Sequence, residues 1–289
     1  MPETIRVERL VKSYGTQEVL HGISFSVKKG EVFALLGVNG AGKTTALECV
    51  EGLRRYESGN IEVTGTIGIQ LQSSSLPPMI KAGEALRMFA KWKCTEVDLQ
   101  YLDRIGVTPF LKKQYNSLST GQKRRLHLAL SMLGDPEILF LDEPTAGLDV
   151  EGRAALHEEI RRLKANGKTI VMASHDMAEV EELCDRIAIL KDSMIAFIGT
   201  AAELTSDYSE TFFLQVRFSG PPALERLKSS WFSGVERGVW TFETADLAAA
   251  LEEISKLVRE QGLSIRDIRV ERETLEQRFL AVAKEEIST

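Results

Sequence analysis

A glycine-rich loop between a strand pattern and a helical pattern constrains this chain more than any other feature. The segment GVNGAGKT, from Gly37 to Thr44, fits the pattern G-x-x-x-x-G-K-[ST]. Residues 31–36 before it predict a buried strand, and residues 44–51 after it predict a helix. Because glycine permits backbone conformations closed to other residues, successive N–H groups of such a loop can turn inward on an anion. The sequence therefore predicts a phosphate-binding loop in an α/β domain.

The residue types at the end of the loop predict a nucleotide complexed with Mg²⁺. Lys43 can reach the β- and γ-phosphates, and the hydroxyl of Thr44 can bind the metal ion. The positive end of the following helix adds a favourable dipole for the phosphates. The expected ATP contacts from this segment are Gly37, Val38, Asn39, Gly40, Ala41, Gly42, Lys43, Thr44 and Thr45.

Two adjacent acids end a second apolar strand pattern. Residues 138–143 read ILFLDE, with Asp142 and Glu143 at the strand end. An unpaired buried charge is expensive, so carboxylates in this place indicate a partner. We expect Asp142 to hold Mg²⁺, directly or through water, and Glu143 to polarise the attacking water. Together with the glycine-rich loop, these acids predict an enzyme that hydrolyses a nucleoside triphosphate.

Residues 118–122 read LSTGQ, which is similar to the LSGGQ signature of the ABC-transporter ATPases. Together with the glycine-rich loop and the two acids, this segment makes residues 3–204 resemble that family. Thr120 departs from the family pattern, which usually has glycine at that position. Family members dimerise head to tail, and each signature closes over the ATP of the other subunit. The resemblance implies such a contact in trans for Leu118, Ser119, Thr120, Gly121 and Gln122. Ser119 and Gln122 also form a capping box, and both roles can coexist at a helix start that binds an anion.

The resemblance assigns roles to further residues. His175 follows the strand pattern TIVMA and matches the histidine that senses the γ-phosphate, so it joins Glu143 as a catalytic candidate. Gln72 matches the glutamine that meets Mg²⁺, with Gln70 as the alternative. Tyr14 matches the aromatic residue that stacks on adenine, although it also fits an ordinary strand aromatic. The loop that runs along the dimer interface in this family, the D-loop, corresponds to Ala146, Gly147, Leu148 and Asp149.

The expected fold class is α/β, with a P-loop NTPase core of the ABC-ATPase type and a small C-terminal α+β domain. Residues 1–204 form the predicted ATPase domain, which has a β subdomain and a helical subdomain at about 76–131. The polar stretch at 205–209 is a predicted linker, and 205–289 the predicted accessory domain. That domain should contain strands at 212–218, 239–242 and 265–270, a helix at 247–259, and a last helix from Leu275 capped by Thr274 and Gln277.

Composition and charge limit the cellular compartments and the kinds of partner that we expect for this chain. The net charge of −6 provides no basic field, so we expect no nucleic-acid partner, and Lys123, Arg124 and Arg125 should form a solvated helix face. The three cysteines form no C-x-x-C pair and are expected to be buried and reduced, which favours the cytoplasm. No segment approaches the roughly 20 apolar residues of a membrane helix. If the protein works at a membrane, as the resemblance implies, a separate permease must supply the span.

The resemblance implies an ATP-hydrolysing subunit that dimerises, with itself or with a second ATPase subunit, on the inner face of the membrane. Export is favoured over import because the short C-terminal extension, with its segment TLEQRFL at 274–280, resembles ABC-2-type exporters. A soluble ABC ATPase acting on ribosomes or DNA is the main alternative. Against it stand a single cassette and the lack of sustained heptads between Thr44 and Leu118. A regulator without turnover is disfavoured because Glu143 and His175 are both present.

Overall fold

The chain separates into two units, each with an apolar core of its own. The computed structural model describes residues 2–70, 75–206, 212–223 and 231–272. The first unit ends at Thr200, and the second begins at Ala201.

Two sheets form the framework of the first unit. Its strands are β1 (Glu3–Tyr14), β2 (Gln17–Lys28), β3 (Val32–Leu36), β4 (Ser58–Val63), β5 (Ile67–Gln70), β6 (Ile138–Asp142), β7 (Thr169–Ala173), β8 (Arg186–Lys191) and β9 (Met194–Gly199). Strands β2-β1-β4 make an antiparallel sheet, and β5-β6-β7-β3-β8-β9 make a larger one. The larger sheet is parallel except for β9, which pairs antiparallel with β8.

The larger sheet explains why the predicted site residues come from distant parts of the sequence. Every residue of β3, β6 and β7 is buried, as expected for parallel strands covered on both faces. These strands are neighbours, so their carboxyl ends meet at one edge of the sheet. Ligands of open α/β sheets bind at such an edge. The glycine-rich loop, the two acids and His175 all follow these strand ends.

Helices flank the sheets and form the predicted helical insertion. The helices of the first unit are α1 (Lys43–Val50), α2 (Ala82–Trp92), α3 (Leu99–Arg104), α4 (Thr120–Ser131), α5 (Val150–Ala165) and α6 (Met177–Leu183). Between β5 and β6 the described residues contain α2, α3, α4 and short 3-10 helices at Thr108–Phe110 and Tyr115–Ser117, which pack around a separate core. The α/β fold class is thus confirmed. In the described ranges, no helix has the length and apolarity needed to cross a membrane.

The second unit is a small α+β arrangement. It contains α7 (Ala201–Ser206), β10 (Phe212–Phe218), β11 (Trp231–Glu236), β12 (Val239–Thr244), α8 (Leu247–Glu260) and β13 (Ile265–Arg272). The strands form one antiparallel sheet in the order β11-β12-β10-β13. Leu214, Phe242 and Ile254 are fully or almost fully buried in its core.

One expectation for this region was wrong in detail, and one strand was missed. Residues 205 and 206, predicted as linker, belong to α7, which begins with residues of high helix propensity and buries Leu204. Strand β11 was not predicted, because Gly234 weakens the strand signal and coincides with a register shift against β12. The rest of the linker (207–209) and the last helix with its cap, Thr274 and Gln277, lie outside the described residues.

The cysteines follow the expected pattern only in part. Cys49 is buried in the main core and Cys184 is half-buried, but Cys94 is exposed. Cys94 has a φ of 52° and lies in the turn just after α2. The expectation that each cysteine is buried was therefore wrong for Cys94.

Glu51, at the C-terminal end of α1, should make stability depend on pH. Its side chain is buried, and burial, with Asp142 and Glu48 nearby, raises its pKa to about 7. The native state then keeps a proton that the unfolded state releases as the pH rises from about 4.5 to about 7, so stability falls through that window. We expect Glu51→Gln to stabilise the chain by about 2 kcal/mol at pH 8 and to change little at pH 4.5.

Urea unfolding of both proteins at the two pH values measures this difference. Glu181→Gln, which removes an exposed carboxylate, is the control and should show no such pH-dependent gain. An equal stability difference at both pH values for Glu51→Gln would contradict the assignment.

Candidate functional site

The glycine-rich loop adopts a conformation that only glycine permits at two positions. Gly42 caps α1 with a φ of 105°, and a Cβ there would lie 2.9 Å from the carbonyl oxygen of Val19. A Cβ at Gly37 would lie 2.6 Å from the carbonyl oxygen of Leu190. The loop therefore passes closer to the neighbouring backbone than any side chain would allow. It leads directly into the N-terminus of α1, where free N–H groups favour an anion.

Lys43 lies folded back over this loop. Lys43 is 7% exposed, and its Nζ donates hydrogen bonds to the carbonyl oxygens of Gly37 (2.7 Å) and Val38 (3.3 Å). Burial lowers the pKa of Lys43, while the nearby Glu143 and Asp142 raise it. The ammonium group is thus held at the loop that the sequence predicts for phosphate binding.

Thr44 and Asp142 form a set of oxygens suited to a hard cation. The Thr44 hydroxyl donates a hydrogen bond to Oδ2 of Asp142 at 3.1 Å. The other carboxylate oxygen, Oδ1, is buried and has no hydrogen-bond partner within the described residues. Burial raises the pKa of Asp142, and the Thr44 hydrogen bond opposes that rise. Because Mg²⁺ is commonly bound through one or two carboxylates together with phosphate oxygens, these residues fit the predicted metal.

The two catalytic candidates are in direct contact. Nδ1 of His175 lies 2.6 Å from Oε2 of Glu143. Glu143 is buried and has a φ of 49°, a left-handed conformation that is costly for a residue with a side chain and that clusters at functional sites. Its backbone N–H donates to the carbonyl oxygen of Ala173 at the end of β7. The carboxylate therefore lies between the strand ends of β6 and β7, beside the exposed imidazole.

The predicted signature begins α4 with the expected capping box. Ser119 Oγ accepts a hydrogen bond from the Gln122 N–H, and Gln122 Oε1 accepts one from the Ser119 N–H, each at 3.2 Å. Ser119 and Thr120 are exposed. A helix start capped in this way leaves further N–H groups for a partner.

Thr120, the departure from the usual signature, lies against the predicted D-loop. Its Cγ2 would be 3.3 Å from a Cβ at Gly147, which has a φ of 75°. Leu148 lies against Gly121 in the same way, and Asp149 caps α5 by accepting a hydrogen bond from the Gly152 N–H at 2.8 Å. The signature and the D-loop of one chain are therefore packed against each other.

The two glutamine candidates remain undecided. Gln72 lies outside the described residues. Gln70 ends β5, is 2% exposed, and neither its Oε1 nor its Nε2 has a partner in the described part of the chain. It lines a cavity of about 160 Å³ between α4 and α5, together with Arg124 and Arg125. The basic run at 123–125 is thus solvated only in part, because two of its guanidinium groups face this cavity.

Tyr14 ends β1 and is 43% exposed. Lys12 Nζ and the Arg54 guanidinium lie 5.2 and 5.3 Å from the centre of its ring. The ring is thus partly exposed beside two cations, and its contact with adenine stays a prediction.

Glu179 is a residue of this region that the sequence analysis missed. Its carboxylate is buried on α6 and accepts hydrogen bonds from Ser174 and Thr145, which flank the catalytic candidates. In the sequence it looks like an ordinary acid in the first turn of a helix capped by Asp176. Two further histidines contact side chains elsewhere in the first unit: His127 contacts the Tyr115 hydroxyl and His157 contacts Glu182. Over the described ranges, no three His, Cys, Asp or Glu side chains cluster as metal ligands.

The chain is similar in sequence to known protein families and to named proteins. The family profile described as ABC transporter matches residues 20–146, and a profile for an AAA domain matches residues 112–181. The linearmycin resistance ATP-binding protein LnrL of Bacillus subtilis is 36% identical over 75% of each chain. The Nod factor export ATP-binding protein I of Ralstonia nicotianae is 33% identical, over 80% of this chain and 78% of its own. The daunorubicin resistance ATP-binding protein DrrA3 of Streptomyces coeruleorubidus is 30% identical, over 96% and 94%.

Solved structures show the same fold. The ATP-binding subunit of an ABC transporter superposes with a TM-score of 0.62 at 26% identity, covering 71% of this chain and 92% of its own. A dimeric bacterial ABC transporter cassette superposes with a TM-score of 0.63 at 23% identity, covering 68% of this chain and 98% of its own.

Proposed function

Because the chain belongs to the family of ABC transporter ATP-binding proteins, we propose that it drives export through a separate membrane permease. It is an ATPase subunit, and two copies, or one copy and a second ATPase subunit, close head to tail around MgATP. The observation that carries the proposal is that one chain presents both a nucleotide loop with its carboxylates and an exposed signature start. A signature is of use only to nucleotide held by another subunit.

Each site residue has its own role in the proposed hydrolysis of ATP. The loop N–H groups and Lys43 bind the phosphates, and Thr44, Asp142 and Gln72 would hold Mg²⁺, which shields phosphate charge when bound. Glu143 orients the attacking water and takes its proton, since its carboxylate follows β6 directly. His175 holds that carboxylate through the 2.6 Å contact and reports on the γ-phosphate. Tyr14 stacks on adenine, and Ser119 and Gly121 complete the site of the partner.

Export is supported by what the relatives are named for. One relative is named for Nod factor export, and two are named for resistance to linearmycin and to daunorubicin. The similarity to DrrA3 covers 96% of this chain and therefore includes the second unit, which we assign as an accessory domain of the ATPase. The net charge of −6 disfavours the alternative of an ATPase that acts on DNA or ribosomes. We place the subunit on the cytoplasmic face of the membrane.

Co-purification from membranes tests the proposed partner. We expect the tagged chain, solubilised from membranes in mild detergent, to retain one multi-span protein whose sequence contains several stretches of roughly 20 apolar residues. The Glu143→Gln variant, held closed by ATP, should retain the same protein. Recovery of ribosomes or DNA in place of a multi-span protein would contradict the transport proposal. Loss of the ATP-dependent efflux of the cargo on deletion of the chain would establish the direction.

A further inference from the structure

Glu179 is a carboxylate beside the candidate site for which the proposed mechanism has no role. It lies on α6 and is 1% exposed. Its Oε2 accepts a hydrogen bond from Ser174 Oγ at 2.7 Å and a second from Thr145 Oγ1 at 3.2 Å. Two hydroxyls from different segments of the chain therefore converge on a single oxygen atom.

The two segments that donate these hydrogen bonds carry the catalytic candidates. Ser174 follows β7 and immediately precedes His175, and Thr145 comes two residues after Glu143. The same segments are joined a second time by the contact between His175 and Glu143. Glu179 thus fixes the distance between the segments independently of the two side chains that would face the γ-phosphate.

The other side of the Glu179 carboxylate faces His157 on α5. Nε2 of His157 lies 3.6 Å from Oε1 of Glu179, beyond hydrogen-bond range, while its Nδ1 lies 3.0 Å from Oε2 of Glu182. Among the described residues, the side-chain hydrogen bonds of Glu179 therefore both lie on Oε2, the oxygen that faces the catalytic segments. Burying a carboxylate is costly, so the two hydrogen bonds that Oε2 accepts favour the arrangement in which both hydroxyls reach it. The other oxygen, Oε1, has no hydrogen-bond partner among the described residues.

We propose that Glu179 is a positioning residue for ATP hydrolysis, which holds the segments of Glu143 and His175 in register through Thr145 and Ser174. The proposal rests on the roles assigned above to Glu143 and His175. A displacement of about 1 Å at a reacting group is enough to cost about a hundredfold in rate. Among the described residues, no side-chain hydrogen bond joins the loop of Lys43 to this network, so ATP binding should not depend on it.

A pair of substitutions at Glu179 tests this role. Glu179→Ala removes the shared acceptor and should lower kcat about tenfold to a hundredfold, with the KM for ATP within about twofold of wild type. Glu179→Gln can place its amide oxygen at the position of Oε2 and keep both hydrogen bonds, so it should restore kcat to near the wild-type value. Glu181→Ala, an exposed carboxylate of the same helix, is the matched control and should leave kcat unchanged.

Substitutions of the donors keep the test decisive if Glu179→Ala does not fold. Thr145→Val and Ser174→Ala each remove one hydrogen bond, and each should lower kcat several-fold at unchanged KM. Wild-type kcat in the folded Glu179→Ala variant, or in both donor variants, would overturn the proposal. So would a defect of Glu179→Gln as large as that of Glu179→Ala. If Glu143→Gln still hydrolyses ATP, the proposed catalytic role of Glu143 fails instead, which separates the two ideas.

Discussion

Glu143→Gln should lower the rate of ATP hydrolysis about a hundredfold to ten-thousandfold, the range that a general base contributes. The amide keeps the size of the carboxylate but cannot take a proton from water. Lys43, Thr44 and Asp142 are untouched, so ATP affinity should stay close to that of wild type. The variant should accumulate as an ATP-bound dimer, because the step that reopens it is missing. Phosphate release measures the rate of hydrolysis, and a nucleotide-binding assay measures the affinity for ATP. Size-exclusion chromatography with ATP detects the dimer.

His175→Ala provides the companion measurement. It removes the imidazole 2.6 Å from the Glu143 carboxylate but leaves the base itself. His175→Ala should therefore lower the rate of ATP hydrolysis less than Glu143→Gln does. The double variant should be little slower than Glu143→Gln alone, since the two residues act as a unit. Near-normal turnover by Glu143→Gln would remove Glu143 from the mechanism.

Mixing two inactive variants should restore ATP hydrolysis if the site is shared between subunits. Lys43→Ala loses a hydrogen-bonding charge worth about 1.5–3 kcal/mol and so about ten- to a hundredfold in ATP affinity. Ser119→Arg obstructs the exposed start of α4 but leaves the loop intact. In a mixed dimer, one composite site has an intact loop from one subunit and an intact signature from the other. An equal mixture should therefore recover up to about a quarter of wild-type activity, because half of a random population of two-fold dimers is mixed.

A second mixture controls for simple dilution or stabilisation. Lys43→Ala combined with Glu143→Gln places both lesions on the nucleotide side, so no composite site is intact and activity should stay absent. Recovery in this control, or none in the first mixture, would show that the signature does not act across subunits. A monomer held at low concentration should in either case bind ATP and hydrolyse it poorly.

Features encoded in short stretches of sequence could be predicted well. The loop from Gly37 to Thr44 needs only glycines, a strand before it and a helix after it, and the structure has all three. The capping box of Ser119 and Gln122 is likewise local and was confirmed. Three of the four strands described in the second unit were predicted for the same reason, because alternation and helical periodicity are read within a few residues.

Features that depend on packing between distant residues could not be predicted. Glu179 meets Thr145 only because β6 and β7 are neighbours, and its burial is invisible in a helical pattern of acids. Strand β11 needed the pairing with β12 to offset Gly234. The choice between Gln70 and Gln72 stays open, since sequence spacing permits both and Gln72 lies outside the described residues.

The contact between Thr120 and Gly147 has a consequence for the design of chimeric transporters. A Cβ at Gly147 would come within 3.3 Å of the threonine methyl group, so the size of one residue limits the size of the other. Consider a chimeric cassette whose signature comes from one parent protein and whose D-loop comes from another. The two side chains that meet at this contact would then come from different proteins. Such a hybrid is expected to gain either a clash or a gap at this point. The signature and the D-loop should therefore be exchanged together, from the same parent protein.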